Sequence, residues 1–183
     1  MSDAALADPF RSLITGRLLM TPVSGADLPD LCALKADPRV FALMLGGVRD
    51  RVRCIDELAE DQEFWGARGI GIWSVRGRAG GEFHGIAGFM LRPDGLGLAL
   101  RFAFWPESRG RGLAREAAAA ALRFAHERAG IARVVAVARA SNVGSRLVLG
   151  GIGMRECGGF RHQGHEMLIY ESVGAEPGPV APR

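Results

Sequence analysis

Between Phe102 and Glu116 the chain reads Phe-Ala-Phe-Trp-Pro-Glu-Ser-Arg-Gly-Arg-Gly-Leu-Ala-Arg-Glu. An apolar, strand-like run enters a loop with two glycines and then an alanine-rich helical stretch. That order of parts can hold a pyrophosphate. Glycines let the main chain come close to the anion, the unpaired amides at the start of a helix point at it, and the helix dipole favours its charge. Arg109, Arg111 and Arg115 could add charge-assisted hydrogen bonds. The stretch lacks Gly-Lys-Ser/Thr, so it is no Walker A loop, and Gly110-Arg111-Gly112 lacks the third glycine of a dinucleotide fingerprint. An ordinary strand-to-helix turn decorated with solvated arginines fits the same residues.

The elements that must position this loop follow from periodicity and turn chemistry. Arg17 to Met20 reads as a strand. Ser24 with Asp27 resembles a capping box opening a helix over 26–35, which Asp37-Pro38 breaks. Short helical spacing returns at Val40 to Leu45, and a longer helix is expected over Val52 to Ala67. Gly71 to Val75, Phe83 to Leu91 and Leu96 to Trp105 are strand-like, with turn signals at Arg78 to Gly81 and at Pro93-Asp94-Gly95, so a three-strand antiparallel meander is expected. Leu113 to Ala129 reads as one helix closed by Gly130. The apolar run Val134 to Val137, coming after a helical crossover, should lie parallel to the last meander strand. A short helix at 143–151 and strands at Met154 to Cys157 and Glu166 to Glu171 complete the pattern. One domain over residues 1–172 with an unpacked proline-containing tail over 173–183 is the expected organisation.

Composition bounds the rest. Of the 183 residues, 48% are hydrophobic and 23% charged, the balance of a globular chain with a core of its own. The formal charge is +3, and Lys35 is the only lysine, so the basic character is guanidinium. Arginine suits phosphate and carboxylate recognition, but a GC-rich genome produces the same bias. The arginines are scattered, and their one cluster coincides with the glycine loop, which argues against direct nucleic-acid binding. Cys32, Cys54 and Cys157 lack ligand spacing, so no metal site is expected and all three read as buried small hydrophobes in a reducing, cytoplasmic setting. No apolar run reaches 18 residues and the first ten residues carry no basic n-region, so neither a membrane span nor a secretory signal is expected.

Arg109-x-x-Gly112-x-Ala114 between a strand and a helix resembles the acyl-CoA signature Gln/Arg-x-x-Gly-x-Gly/Ala of the GNAT N-acetyltransferases. Asn142-Val143-Gly144-Ser145 and the stretch from Leu147 to Ile152-Gly153-Met154 are similar to later elements of that family, in the same order. The resemblance extends from Arg17 to about Tyr170 and is closest to the branch of ribosomal-protein N-terminal-alanine acetyltransferases.

It implies an α/β (α+β) GNAT fold, a mixed and mostly antiparallel sheet flanked by helices, with two parallel central strands splayed to admit acyl-CoA. It further implies acetyl transfer from acetyl-CoA, without metal, to a primary amine of a protein N-terminus or a small molecule. By the same carry-over Phe102, Ala103 and Phe104 would pair with the pantetheine arm and Gly110, Arg111, Gly112, Leu113, Ala114 and Arg115 would cradle the pyrophosphate, with Arg109 beside them. Asn142 and Ser145 would make polar contacts to the cofactor arm, although Asn142 also reads as a helix N-cap. The Phe104 main-chain amide would hold the oxyanion.

Two departures from the family stand out. The tyrosine expected seven residues after the asparagine is Leu149, and the only tyrosine is Tyr170. The strand Leu96 to Phe104 has no carboxylate where some relatives place a glutamate. Glu107 and His84 are the nearest base candidates, each with a blander reading as a solvated loop residue or a sheet-end histidine, and His162 and His165 follow them. These departures also motivate an alternative, an acyl-CoA-binding GNAT-fold sensor or assembly partner without turnover. Acceptor choice is expected to fall to Phe41 to Leu45, Phe64-Trp65 and Gly158 to Gly164, with Phe64 and Trp65 better read as core. Exposed sheet edges make a homodimer the expected assembly.

Overall fold

The computed structural model describes residues 10–174. Eight strands share one sheet: β1 (Leu13–Ile14), β2 (Leu18–Pro22), β3 (Ile72–Gly77), β4 (Phe83–Leu91), β5 (Leu98–Phe104), β6 (Arg133–Arg139), β7 (Arg155–His162) and β8 (His165–Val173). Their spatial order is β1-β2-β3-β4-β5-β6-β8-β7. Every neighbouring pair is antiparallel except β5 and β6, which are parallel and meet at one bridge, Ala99 opposite Val135. The expected meander is β3-β4-β5, and the expected crossover places β6 beside it.

Two helical layers cover the sheet. On one face lie α1 (Leu28–Ala36), α2 (Pro38–Phe41) and α3 (Arg51–Arg68), burying Leu31, Leu34, Phe41, Cys54 and Leu58 against Ile72, Ile86 and Ala103. On the other lie α4 (Leu113–Arg123) and α5 (Val143–Gly151), where Leu113, Ala117, Ala121 and Leu149 meet Val75, Phe89, Leu100 and Phe104. β5 serves both layers by strand alternation, with Leu100 and Phe104 in one core and Ala103 in the other. Ser24 and Asp27 form the anticipated capping box. Trp65 is buried, donates from Nε1 to the Ile72 carbonyl at 2.7 Å and stacks edge-on against Trp73 at 4.9 Å, so it is core as expected.

The structure corrects several sequence readings. Leu113 to Ala129 is not one α-helix: beyond Arg123 the backbone widens into a π-turn over Phe124–Arg128, with the Ala129 N–H donating to the Phe124 carbonyl. His126 occupies that turn, bonded to the Ile131 carbonyl and to Ser172 Oγ of β8, and Gly130 follows at φ +66°. The segment Gly158 to Gly164, read as an acceptor loop, is instead most of β7 and its hairpin turn. Gln163 and Gly164, at φ +48° and +79°, close the type I′ connection, with His162 and His165 flanking it. Glycine-rich edge strands carry no apolar alternation to announce them. Cys157 is exposed at an irregularity of this edge and Cys32 is half-buried, so of the three only Cys54 is a buried hydrophobe. β8 continues through Val173, and the Gly174 N–H bonds to the Ala132 carbonyl. Residues 175–183 of the expected tail lie outside the described residues.

Candidate functional site

β5 and β6 separate after the Ala99–Val135 bridge, and the way β4 pairs with β5 decides which groups face the opening. Gly85 lies opposite Phe104, and the Trp105 N–H donates to the His84 carbonyl at 3.0 Å. That bond pattern makes Gly85–Phe104 a non-hydrogen-bonded pair, so the Phe104 N–H and C=O both point away from β4. They therefore point into the gap that β6 has left. The N–H pairs with no strand there. The carbonyl accepts from Arg109 Nη2 at 3.3 Å, and the same nitrogen donates to the Arg39 carbonyl at 3.1 Å. Arg109 thus ties β5 to α2.

The chain then turns through Pro106–Ser108 and reaches α4 by way of Gly110 and Gly112, both left-handed at φ +71° and +75°. Gly112 is the N-cap of α4 and has no side chain to satisfy the first-turn amides, so the N–H groups that open α4 remain available to an outside acceptor. The glycines are required by this backbone: an L-residue at either position is strained. Glu116, on the first turn, takes bonds from Thr15 Oγ1 at 2.5 Å and the Arg17 N–H at 2.9 Å and pairs with the Arg17 guanidinium at 2.6 Å, while Arg17 Nη1 donates to the Arg111 carbonyl at 2.7 Å. This brace fixes the loop from the β1–β2 side, and nothing in the spacing of Arg17 and Glu116 announced it.

The arginines around the loop diverge. Arg111 is exposed and lines an open cavity of about 440 Å³ with Arg17, Arg78, Glu82, His84 and Leu113. Arg115 runs towards the end of α5, where a Cβ on Gly151 would lie 3.1 Å from its Nε. Leu113 is buried in the core, Ala114 packs against it, and Phe102 is half-buried on the α4 side. Asn142 caps α5, its Oδ1 accepting from the half-buried Ser145 at 3.1 Å, so the cap reading is realised.

The two base candidates are not brought together. Glu107 is exposed and bonded to Arg39 Nη1 at 3.1 Å; its own backbone N–H and Arg39 hold its carboxyl below the usual range. A group so placed is a weak proton acceptor. His84 is buried, its Nδ1 2.9 Å from Ser108 Oγ and its Nε2 3.4 Å from Glu82. β4 carries one extra residue at this point, since Val75 opposes Gly85 while Arg76 opposes Phe83. The bulge turns His84 to the α4 side, onto the loop. Leu149, at the family's tyrosine position, is buried in the core, and Tyr170 is already bonded to Arg146 at 3.3 Å and Glu156 at 3.5 Å. Burial pushes the Cys54 thiol up to about 12, which removes it as a nucleophile at neutral pH. Among the described residues no cluster of three or more His, Cys, Asp or Glu is placed to hold a metal ion, and no helix is long and apolar enough to cross a membrane.

The α1–α3 face of the same opening holds charges that the sequence did not single out. Glu57 of α3 bonds Lys35 at 2.8 Å and Arg49 at 2.5 Å. Burial would raise its carboxyl, but Lys35, Arg49 and Arg101 hold it at about 2. Asp61, one turn further along α3, is pushed up to about 6 by burial. Arg101 of β5 lies with its guanidinium 5.5 Å from the centre of the Phe41 ring, and burial lowers its affinity for its proton.

Residues 17–155 match the family model described as Acetyltransferase (GNAT) domain. A protein of Bordetella pertussis described as GnaT-family acetyltransferase is 29% identical at a TM-score of 0.78, over 88% of this chain and 99% of that one. An acetyltransferase of Agrobacterium tumefaciens str. C58 is 26% identical at 0.77, over 88% and 93%. A ribosomal L7/L12 alpha-N-protein acetyltransferase solved in complex with coenzyme A shares the fold at 0.73 with 15% identity, over 88% and 97%. With most of its length matched by the family model and its parallel strands parted above an uncapped helix, the chain belongs to the GNAT acetyltransferase domain family.

Proposed function

We propose that this chain transfers the acetyl group of acetyl-CoA to a primary amine by direct attack. The observation that carries the reading is the single bridge between β5 and β6, which leaves the Phe104 N–H directed into an open gap that leads to the uncapped start of α4. Along Phe102 to Phe104 the β5 edge can pair with the amide-bearing pantetheine arm. Gly110 to Arg115 receives the pyrophosphate, with Arg109 closing the other side. Asn142 and Ser145 sit at the head of α5, where the arm would pass. The amine nitrogen bonds the thioester carbon, the carbonyl oxygen gains negative charge beside the Phe104 N–H, the nitrogen gives up one proton to water, and the C–S bond breaks to release CoA thiolate and leave the N-acetyl amide. A thiol of pKa about 8.5 leaves without a proton donor, so Leu149 in place of tyrosine is compatible with turnover. The acceptor amine, of a protein N-terminus or a small molecule, must be unprotonated when it attacks, whatever its state on arrival. The reading takes residues 1–172 as one acetyltransferase domain and brings with it a cytoplasmic setting and a homodimeric assembly, the latter measurable by sedimentation.

The test is thermal unfolding with and without acetyl-CoA at about 100 times its dissociation constant. Linkage then gives about 2.7 kcal/mol, a rise of roughly 5–10 °C for a chain of this size. Gly112→Glu, which places a side chain and a negative charge in the cradle, should lower affinity more than about tenfold with the fold intact. No rise with acetyl-CoA, or full affinity in Gly112→Glu, overturns the reading. A clear rise with no CoA release on any amine supports the second reading, an acyl-CoA-binding protein without turnover, which the bonded states of Glu107 and His84 favour.

A further inference from the structure

On α3 the residues facing the sheet are Cys54, Glu57, Leu58 and Trp65, all buried. Asp61 falls on the same stripe, four residues after Glu57 and four before Trp65. Across from it, β5 presents Ala99, Arg101 and Ala103 to the α1–α3 layer, and Arg101 stands opposite Gly88 of β4, which has no side chain to crowd it. Arg101 touches only apolar or weakly polar groups: Met90 Sδ at 3.9 Å from Nη1, and the Phe41 ring. Among the described residues it forms no ion pair, and the Asp61 side chain has neither a hydrogen bond nor an ion pair. The remaining charges that face them are committed elsewhere. Lys35 of α1 bonds Glu57, Arg49 and Arg53 share that same carboxylate, and Glu60 pairs with Arg53. A half-buried guanidinium and a half-buried carboxylate, each near enough to influence the other but not joined, thus lie on the side of the sheet away from α4.

Charges withdrawn from water without a directly bonded counter-charge are costly, and the ligand that relieves both at once carries the two opposite charges itself. Arg101 lies two residues beyond the last β5–β6 bridge and three before Phe104, so it stands at the mouth of the gap, roughly 10 Å along the strand from the Phe104 amide. We propose that Arg101 and Asp61 form the acceptor site, Arg101 receiving a carboxylate and Asp61 the ammonium of the same molecule, so that the acceptor is a primary amine that bears a carboxylate. The inference rests on the acetyl-transfer reading above and names its substrate class. A planar guanidinium fork fits a carboxylate in two parallel hydrogen bonds, and the Phe41 ring beneath it holds the fork in place. A free amino acid and a peptide N-terminus followed by an acidic side chain share this chemistry.

The experiment follows CoA release from acetyl-CoA with three arms: free amino acids, the amides of the same amino acids, and short peptides with Asp or Glu against Asn or Gln at the second position. The carboxylate-bearing member of each pair should exceed its neutral counterpart by at least about tenfold in kcat/KM, the scale of one charge-assisted contact. The first pair responding identifies a free amino acid, and the peptide pair an acidic N-terminus. Arg101→Met should erase the preference through KM with kcat nearly unchanged, while keeping the thermal shift with acetyl-CoA and losing no thermal stability. Asp61→Asn should raise KM for every amine and remove the rise in KM that the wild type shows below about pH 6, where the Asp61 carboxyl takes up a proton. A merely structural pair would instead lower stability and leave the preference alone. Equal rates for charged and neutral amines, a preference that survives Arg101→Met, or acetyl-CoA binding without CoA release on any arm overturns the inference. Absence of acetyl-CoA binding overturns the acetyl-transfer reading itself.

Discussion

Glu57 is 6% exposed and holds Lys35, 1% exposed, at 2.8 Å, with Arg49 at 2.5 Å on its other oxygen. Removing one member of such a group strands the other in the interior, and this costs more than the pair contributes. Glu57→Gln should lower stability by about 3–5 kcal/mol, on the order of 10 °C in the unfolding midpoint, and adding Lys35→Met to it should return a substantial part. Calorimetry of the three proteins checks this. The folded state holds the Glu57 carboxyl at about 2, below its ordinary 4.5, so its contribution is complete above pH 4.5 and is lost as pH falls towards 2. In Glu57→Gln that part of the acid sensitivity should disappear. None of this was legible from the sequence. Lys35 is a lone lysine in an arginine-rich chain, and Glu57 sits among five other acidic residues between Asp50 and Glu63. Only the packing of α1 on α3 shows which carboxylate turns inward.

Elements were legible where their signals were local. The strand-loop-helix unit from Leu98 to Arg123, the meander and the capping box at Ser24 all carry their own turn or cap residues. β7 did not, because an exposed edge strand with paired glycines has no buried face to impose alternation. The π-turn after Arg123 carries His126 to Ser172, a partner 46 residues away that no local signal announces. The bulge in β4 was hidden for the same reason, since it exists only relative to β3. Gly85 at that bulge matters to the candidate site: a Cβ there would overlap the Ala103 carbonyl and stand 2.8 Å from the Phe104 Cα. Gly85→Ala should therefore press β5 towards the gap, lowering stability by about 2 kcal/mol or more and weakening acetyl-CoA binding. Gly88→Ala makes a similar backbone clash against Gly71 and Ile72, further from Phe104, and should cost stability with less effect on binding. Midpoints and binding isotherms for the two variants separate these effects.

At the scale of the molecule the sheet is two plates, β1 to β5 and β6, β8 and β7, joined edge to edge by one bridge, with α4 on the chain's path from one to the other. The resemblance to the family announced the parting of the strands. The charges on the α1–α3 face escaped the sequence reading because they come from α1, α3 and β5, separated by some 20 to 40 residues each. The Phe104 amide should exchange with solvent faster than that of Trp105, which is bonded to His84, and acetyl-CoA should slow it; hydrogen exchange with and without the cofactor measures both.

The same single bridge bears on turnover. If the arm of the cofactor supplies the rungs that β6 does not, free CoA supplies them equally, because the arm is identical before and after the acetyl group leaves. Binding strength drawn from the missing ladder cannot then distinguish donor from spent donor. Free CoA then competes with acetyl-CoA for the same gap, and the ratio of acetylated to free CoA in the surroundings sets how much of the protein is at work.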